Sequence, residues 1–98
     1  MAKLALLVLL ICLTGCVAAT PPPVTPVDAE RVHVELASLQ QGRTLLVQKC
    51  GSSCHATPMP GDHARAEWPE KLDEMSARAG LVPADRALIE QYLVAMSR

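Results

Sequence analysis

The sequence predicts an all-α domain preceded by an export segment and a proline-rich stretch. Three observations carry that expectation. Beyond about residue 28, apolar residues recur at intervals of three and four; no stretch alternates apolar with polar residues as a half-buried strand would; and proline or glycine marks the breaks between periodic stretches. There is no internal repeat and no glycine-rich phosphate loop. Residues 28–98 form one domain, and at roughly 70 residues it is near the size at which an apolar core alone is marginal.

The chain opens as an exported protein does. Lys3 supplies a positive end, and residues 4–13 are an unbroken apolar run of the length of a signal-peptide core. The run falls short of the about 20 apolar residues a membrane-spanning helix needs. Leu13-Thr14-Gly15-Cys16 resembles a bacterial lipobox, in which small residues precede a cysteine that is lipidated and becomes the first residue of the mature chain. The resemblance implies a signal peptide over residues 1–15, acyl chains including palmitate on Cys16, and a periplasmic protein anchored in a membrane. Val17, where an aspartate would retain such a protein at the inner membrane, favours the outer one. The competing reading is an ordinary signal peptide ending in small residues near Ala18-Ala19. Residues 16–27 then read as a tether, because Pro21, Pro22, Pro23 and Pro26 fix φ and favour an extended, semi-rigid chain that holds the domain off the membrane.

Within the domain, Ser38-x-x-Gln41 has the form of a capping box, and Leu39, Gly42, Leu46 and Cys50 follow on one helical face. Val32 and Leu36 extend the stripe upstream, so the helix could begin as early as Asp28. Residues 58–62, with two prolines and a glycine, cannot be regular helix or strand. A second helix aligns Trp68, Leu72, Met75 and Ala79, tolerates Pro69 only in its first turn, and ends at Gly80. The last opens with Pro83 at its first position and Asp85 near the positive end of its dipole, and aligns Leu88, Tyr92 and Met96. With no Phe, and Trp68 and Tyr92 as the only aromatics, the core is thin.

Chemistry concentrates in Cys50-Gly51-Ser52-Ser53-Cys54-His55. Two thiols followed at once by an imidazole can bind a haem covalently and ligate its iron, although three residues rather than two separate the cysteines. Gly51, Ser52 and Ser53 suit the bulge that spacing needs, glycine by reaching positive φ and serine by bonding to local backbone. Two other readings stand beside it: a Cys50–Cys54 disulfide closing a tight loop in an oxidising compartment, and a metal site of Cys50, Cys54, His55 and His63. Charge excludes one partner class. Once residues 1–15 are removed, only Lys3 is lost from nine basic residues, leaving eight against ten acidic, with no basic stripe for nucleic acid.

From Ser38 to Met96 the order of parts resembles a small class I cytochrome c: Leu39-x-x-Gly42-Arg43-x-Leu45 ahead of the cysteine motif, His55-x-x-Pro58, Trp68-Pro69 with Met75 seven residues after the tryptophan, and Gln91-Tyr92-Leu93 near the end. The pattern departs from the family at the cysteine spacing and at Leu46, where an aromatic is common. The resemblance implies three main helices around one haem c, with the first and last crossing at Gly42 and Tyr92. It implies that Cys50 and Cys54 hold the porphyrin, that His55 is the proximal iron ligand, and that Pro58 shapes the loop beneath it. Trp68 would stand beside the haem or serve simply as a core residue. For the sixth ligand, Met59 is tied to the proximal loop and Met96 lies near a terminus, which leaves Met75 and His63; the family-like interval from Trp68 favours Met75. With both axial positions filled the protein would be an electron carrier between redox proteins rather than an enzyme. A five-coordinate iron would instead suit peroxide or a small gas, and without haem the same helices describe a disulfide-stapled lipoprotein.

The lipobox reading makes the Cys16 thiol the acyl acceptor. Cys16→Ala is expected to abolish metabolic labelling with palmitate and leave an unprocessed precursor; a normally cleaved, soluble product would show an ordinary signal peptide instead.

Overall fold

The computed structural model describes residues 20–51 and 56–97, and these form an all-helical domain. Four α-helices follow in order: α1 (Pro26–Val32), α2 (Leu36–Cys50), α3 (Trp68–Ala79) and α4 (Pro83–Met96), with single 3-10 turns at Pro60–Asp62 and Arg65–Glu67 between α2 and α3. Three main helices were expected. The fourth, α1, arises inside the stretch that reads as tether and domain start. Thr25 caps it reciprocally with Asp28: the Asp28 N–H donates to the Thr25 hydroxyl at 3.3 Å, and the Thr25 N–H donates to the Asp28 carboxylate at 2.9 Å. That backbone donor, followed by the Thr25 hydroxyl, holds the Asp28 carboxyl below the usual carboxylate range.

The helix does not run on from Asp28 into α2. His33 takes the left-handed conformation, φ 56°, its N–H bonding back to Glu30 and that of Val34 to Ala29, which terminates α1 and turns the chain. Helix α2 then begins at Leu36, with Glu35 at the cap position and no side-chain capping bond, so the Ser38–Gln41 box is not used: both residues lie inside the helix. The other boundaries match expectation. Pro69 lies in the first turn of α3, Gly80 closes it at φ 63°, and Pro83 opens α4.

The buried residues of α2 are Leu39, Gly42, Leu46 and Cys50, the face the spacing predicts. They pack on α4, where the buried face is Ile89, Tyr92 and Leu93, with Ala95 beyond. The Leu88–Tyr92–Met96 stripe is therefore turned: Tyr92 faces the core, while Leu88 and Met96 are half-buried. The Leu88 backbone explains the rotation. A Cβ built on Gly42 would overlap the Leu88 carbonyl oxygen and lie 2.9 Å from its carbon and 3.0 Å from Tyr92 Cβ, so at this crossing α2 meets α4 backbone, not the Leu88 side chain. Trp68 and Leu72 of α3, both fully buried, complete the core, with Met75 packed partly buried against it.

The tether is not free. Pro21 is buried and its carbonyl accepts both Nε–H (3.0 Å) and Nη2–H (2.8 Å) of Arg43; the Pro22 carbonyl accepts the Tyr92 hydroxyl at 2.6 Å; Val24 joins the core. Among the described residues the packed chain thus reaches back to Pro21, because the carbonyls of residues 21 and 22 meet donors on two helices. Residues 16–19 of the expected tether, and the signal segment, lie outside the described residues.

Two outcomes follow from this packing. Gly42→Ala inserts a methyl where α4 backbone stands, and should cost about 1–3 kcal/mol of stability by denaturant unfolding; an unchanged midpoint would refute the crossing. Burial pushes the Tyr92 phenol up from 10.0 to about 12, with the Arg43 guanidinium pulling the other way. Because the folded state holds this proton more tightly than the unfolded chain, the stability it contributes is complete below pH 10.0 and lost as pH rises through about 12. Tyr92 is the only tyrosine, so tyrosinate absorbance in an alkaline titration reads it directly; a midpoint near 10.0 would contradict its burial.

Candidate functional site

Cys50 ends α2 at the base of its buried face and is 1% exposed. Gly51 follows in ordinary right-handed geometry (φ −69°, ψ −24°), its N–H bonded to Val47 at 3.1 Å. It does not use the positive φ a bulge was expected to demand. Its lack of a side chain serves close approach, since a Cβ there would stand 3.1 Å from the Thr57 hydroxyl and crowd the Val47 carbonyl. The described chain on either side of residues 52–55 is thereby brought together, and the intervening segment joins neighbouring points. Cys54 and His55 lie in that segment, outside the described residues, as does Cys16.

Past the motif, Pro58 and Pro60 are buried, and the 3-10 turn at Pro60–Asp62 is closed by the Asp62 carboxylate accepting the Met59 N–H at 2.9 Å. The Pro60 carbonyl accepts the Trp68 indole N–H at 3.2 Å, tying this segment to the start of α3. Trp68 therefore has a structural partner as well as a core position. His63 meets the Trp68 ring edge-on at 4.9 Å, and its Nδ1 lies 3.7 Å from the Glu67 carboxylate. Met59 and Met75 are both half-buried. Next to Met75 the Ser76 hydroxyl is buried and has no hydrogen-bond partner among the described residues, an arrangement that ordinarily costs about 1–3 kcal/mol.

The structure thus brings His63, Trp68 and Pro60 together, and puts Cys50, Trp68 and Leu72 in one core with Met75 against it. Met96 lines a surface cleft with His63 and Glu67. Among the described residues no group of three or more His, Cys, Asp or Glu side chains could hold a metal ion, and no helix is long and apolar enough to cross a membrane.

Sequence reasoning passed over two arginines. Arg31 of α1 donates to the Ala95 carbonyl at 2.9 Å and Arg65 to that of Ser97 at 3.2 Å, both at the carboxyl end of α4, where unpaired carbonyls and the helix dipole favour cations. With Val32, Val34 and Val94 they line a cleft of about 470 Å³. No local spacing signals either one, since each is 32 or more residues from its acceptor.

Comparison of the chain with family models, with curated proteins and with solved structures finds no match.

Proposed function

We propose that this protein is a lipid-anchored one-electron carrier of the periplasm, holding one covalently attached haem c at Cys50, Cys54 and His55. The observation that carries the reading is the position of Cys50: it ends the one helical face that packs α2 onto α4, at the start of a short segment beyond which Thr57 returns so near Gly51 that a Cβ there would stand 3.1 Å from its hydroxyl. Two thiols and an imidazole within six residues are a donor set that suits this group.

The surrounding residues fit it as well. Leu45, Met75 and Leu81 pack against the core yet keep partial exposure, giving apolar surface for a macrocycle. The unpartnered Ser76 hydroxyl beside Met75 is a polar atom for such a group to satisfy. In this assignment Cys50 and Cys54 would anchor, His55 would ligate the iron, Pro58 would hold the loop that carries the histidine, and Trp68 holds the Pro60 carbonyl through its indole N–H. Met75 is the sixth ligand. The bound group supplies one-electron exchange with donor and acceptor proteins, and the chain supplies the ligands, the orientation and the exclusion of water. His63 is the rival for the sixth position, but its ring is engaged with Trp68 and Glu67.

One observation favours a second reading, a disulfide-stapled helical lipoprotein with a binding or structural role. Cys50, Trp68 and Leu72 are already at most 1% exposed, so the described core closes on side chains of this chain.

Mass and visible spectrum of the mature protein, exported by a host with haem-attachment machinery, separate the two. The first reading requires the added mass of one haem that survives denaturation and is lost when Cys50 and Cys54 are both changed to Ala. A colourless protein lighter by two hydrogens would establish the second. In the coloured protein, Met75→Ala should abolish the weak near-infrared sulfur-to-iron band and lower the reduction potential, whereas His63→Ala should do neither. Persistence of the band in Met75→Ala would overturn that ligand.

A further inference from the structure

We propose that the face of the domain overlaid by residues 21–24 is its lipid-facing surface, and that these residues act as a strap locking the lipidated N-terminus to the α2–α4 crossing. The inference rests on the reading of Cys16 as the lipid-bearing residue, and makes the anchor a short, oriented mount where an extended, semi-rigid tether was expected.

Three features of the strap carry it. It is joined to two helices at once: to Arg43 of α2 through the Pro21 carbonyl, and to Tyr92 of α4 through the Pro22 carbonyl. Arg43 meets that carbonyl with two donors of its planar fork, a geometry that fixes orientation as well as distance. Docking also costs little conformational freedom, because Pro21, Pro22 and Pro23 already have φ set in the unbound chain.

The outer side of the strap has the chemistry of a lipid contact. Thr20, Pro22, Pro23, Thr25, Pro26 and Val27 are exposed, and residues 20–27 carry no charged side chain, so approach to a bilayer strips no ion of water. Val27 is 71% exposed, the largest value among the exposed large hydrophobic residues.

Chain length then sets the distance. Pro21 lies five positions beyond Cys16, a reach of at most about 17 Å. A tether free through residue 27 would extend about 38 Å, enough for the domain to turn any face to the membrane.

The test uses the mature, full-length protein in vesicles of phosphatidylethanolamine and phosphatidylglycerol, with a fluorophore built into exposed position Gln40, one turn before Arg43, and an acceptor dye on the lipid headgroups. Two variants are compared with the natural chain. Arg43→Leu with Tyr92→Phe removes the strap's hydrogen-bond donors, and eight Gly/Ser residues inserted between Thr20 and Pro21 lengthen the link while leaving the strap docked. Tyr92 ionising near about 12 in the insertion variant verifies that docking. Energy transfer should be strong in the natural chain and several-fold weaker in both variants. Equal transfer in all three would overturn the proposal. If the double variant loses its helical circular dichroism, the insertion variant decides alone. A mature mass without acyl groups would refute the Cys16 reading and the lipid-facing surface with it; acylated protein with weak transfer in the natural chain would refute the surface alone.

Discussion

How closely α2 can approach α4 governs the rest of the structure, and Gly42 sets that distance. With no side chain at this position, α2 rests on the Leu88 carbonyl and on Tyr92 Cβ. Leu39 and Leu46, on either side of the contact, then reach Ile89, Tyr92 and Leu93, and the three form with them one buried cluster. The same crossing puts Arg43 and the Tyr92 hydroxyl at the edge of the seam, where both find the carbonyls of residues 21 and 22. Cys50, the last residue of α2, lies on the same buried face two turns beyond Gly42.

A core with one Trp, one Tyr and no Phe has little large apolar surface to bury, and arginines add a second kind of cohesion. Arg31, Arg43, Arg65 and Arg86 each donate to a backbone carbonyl remote in sequence, and Arg86 also pairs with Asp73 at 2.6 Å. Each spans two elements: α1 to α4, α2 to the strap, the 3-10 turn before α3 to the end of α4, and α4 back to α3. The guanidinium suits this because it can satisfy a carbonyl with one edge while its aliphatic stem lies along apolar surface.

Local chemistry made most of the helices legible. The α2 face could be read residue by residue because four apolar or small positions at helical spacing leave one solution, and Pro69, Gly80 and Pro83 each have a conformation that permits few places in a helix. The start of α2 was not legible, since the turn before it is made by His33 at positive φ, a conformation the sequence marks with glycine or asparagine far more often. The face of α4 was misplaced because a backbone carbonyl, invisible to hydrophobic spacing, is what meets Gly42. The strap was missed for a related reason: proline content predicts an extended chain but not whether its carbonyls find donors 22 and 70 residues away. At the candidate site the cysteine and histidine pattern is contiguous and so readable, whereas the bond from Trp68 to Pro60 and the ring contact with His63 exist only once the chain between them has folded.

The pairing of the first described residues with the last has a consequence for the order of events during synthesis. The strap's partner on α4, Tyr92, is 70 residues away in the chain, and Arg31 of α1 reaches 64 residues to Ala95. Neither contact can form until nearly the whole chain has been made, so while α2 and α3 emerge the N-terminal segment has only its bond to Arg43. The amino end is therefore drawn fully down onto the domain only when the final helix arrives. Closure of the amino end becomes a mark of completion: a chain truncated before Tyr92 retains Arg43 but lacks the second hold, and its N-terminal segment is left for proteases to find.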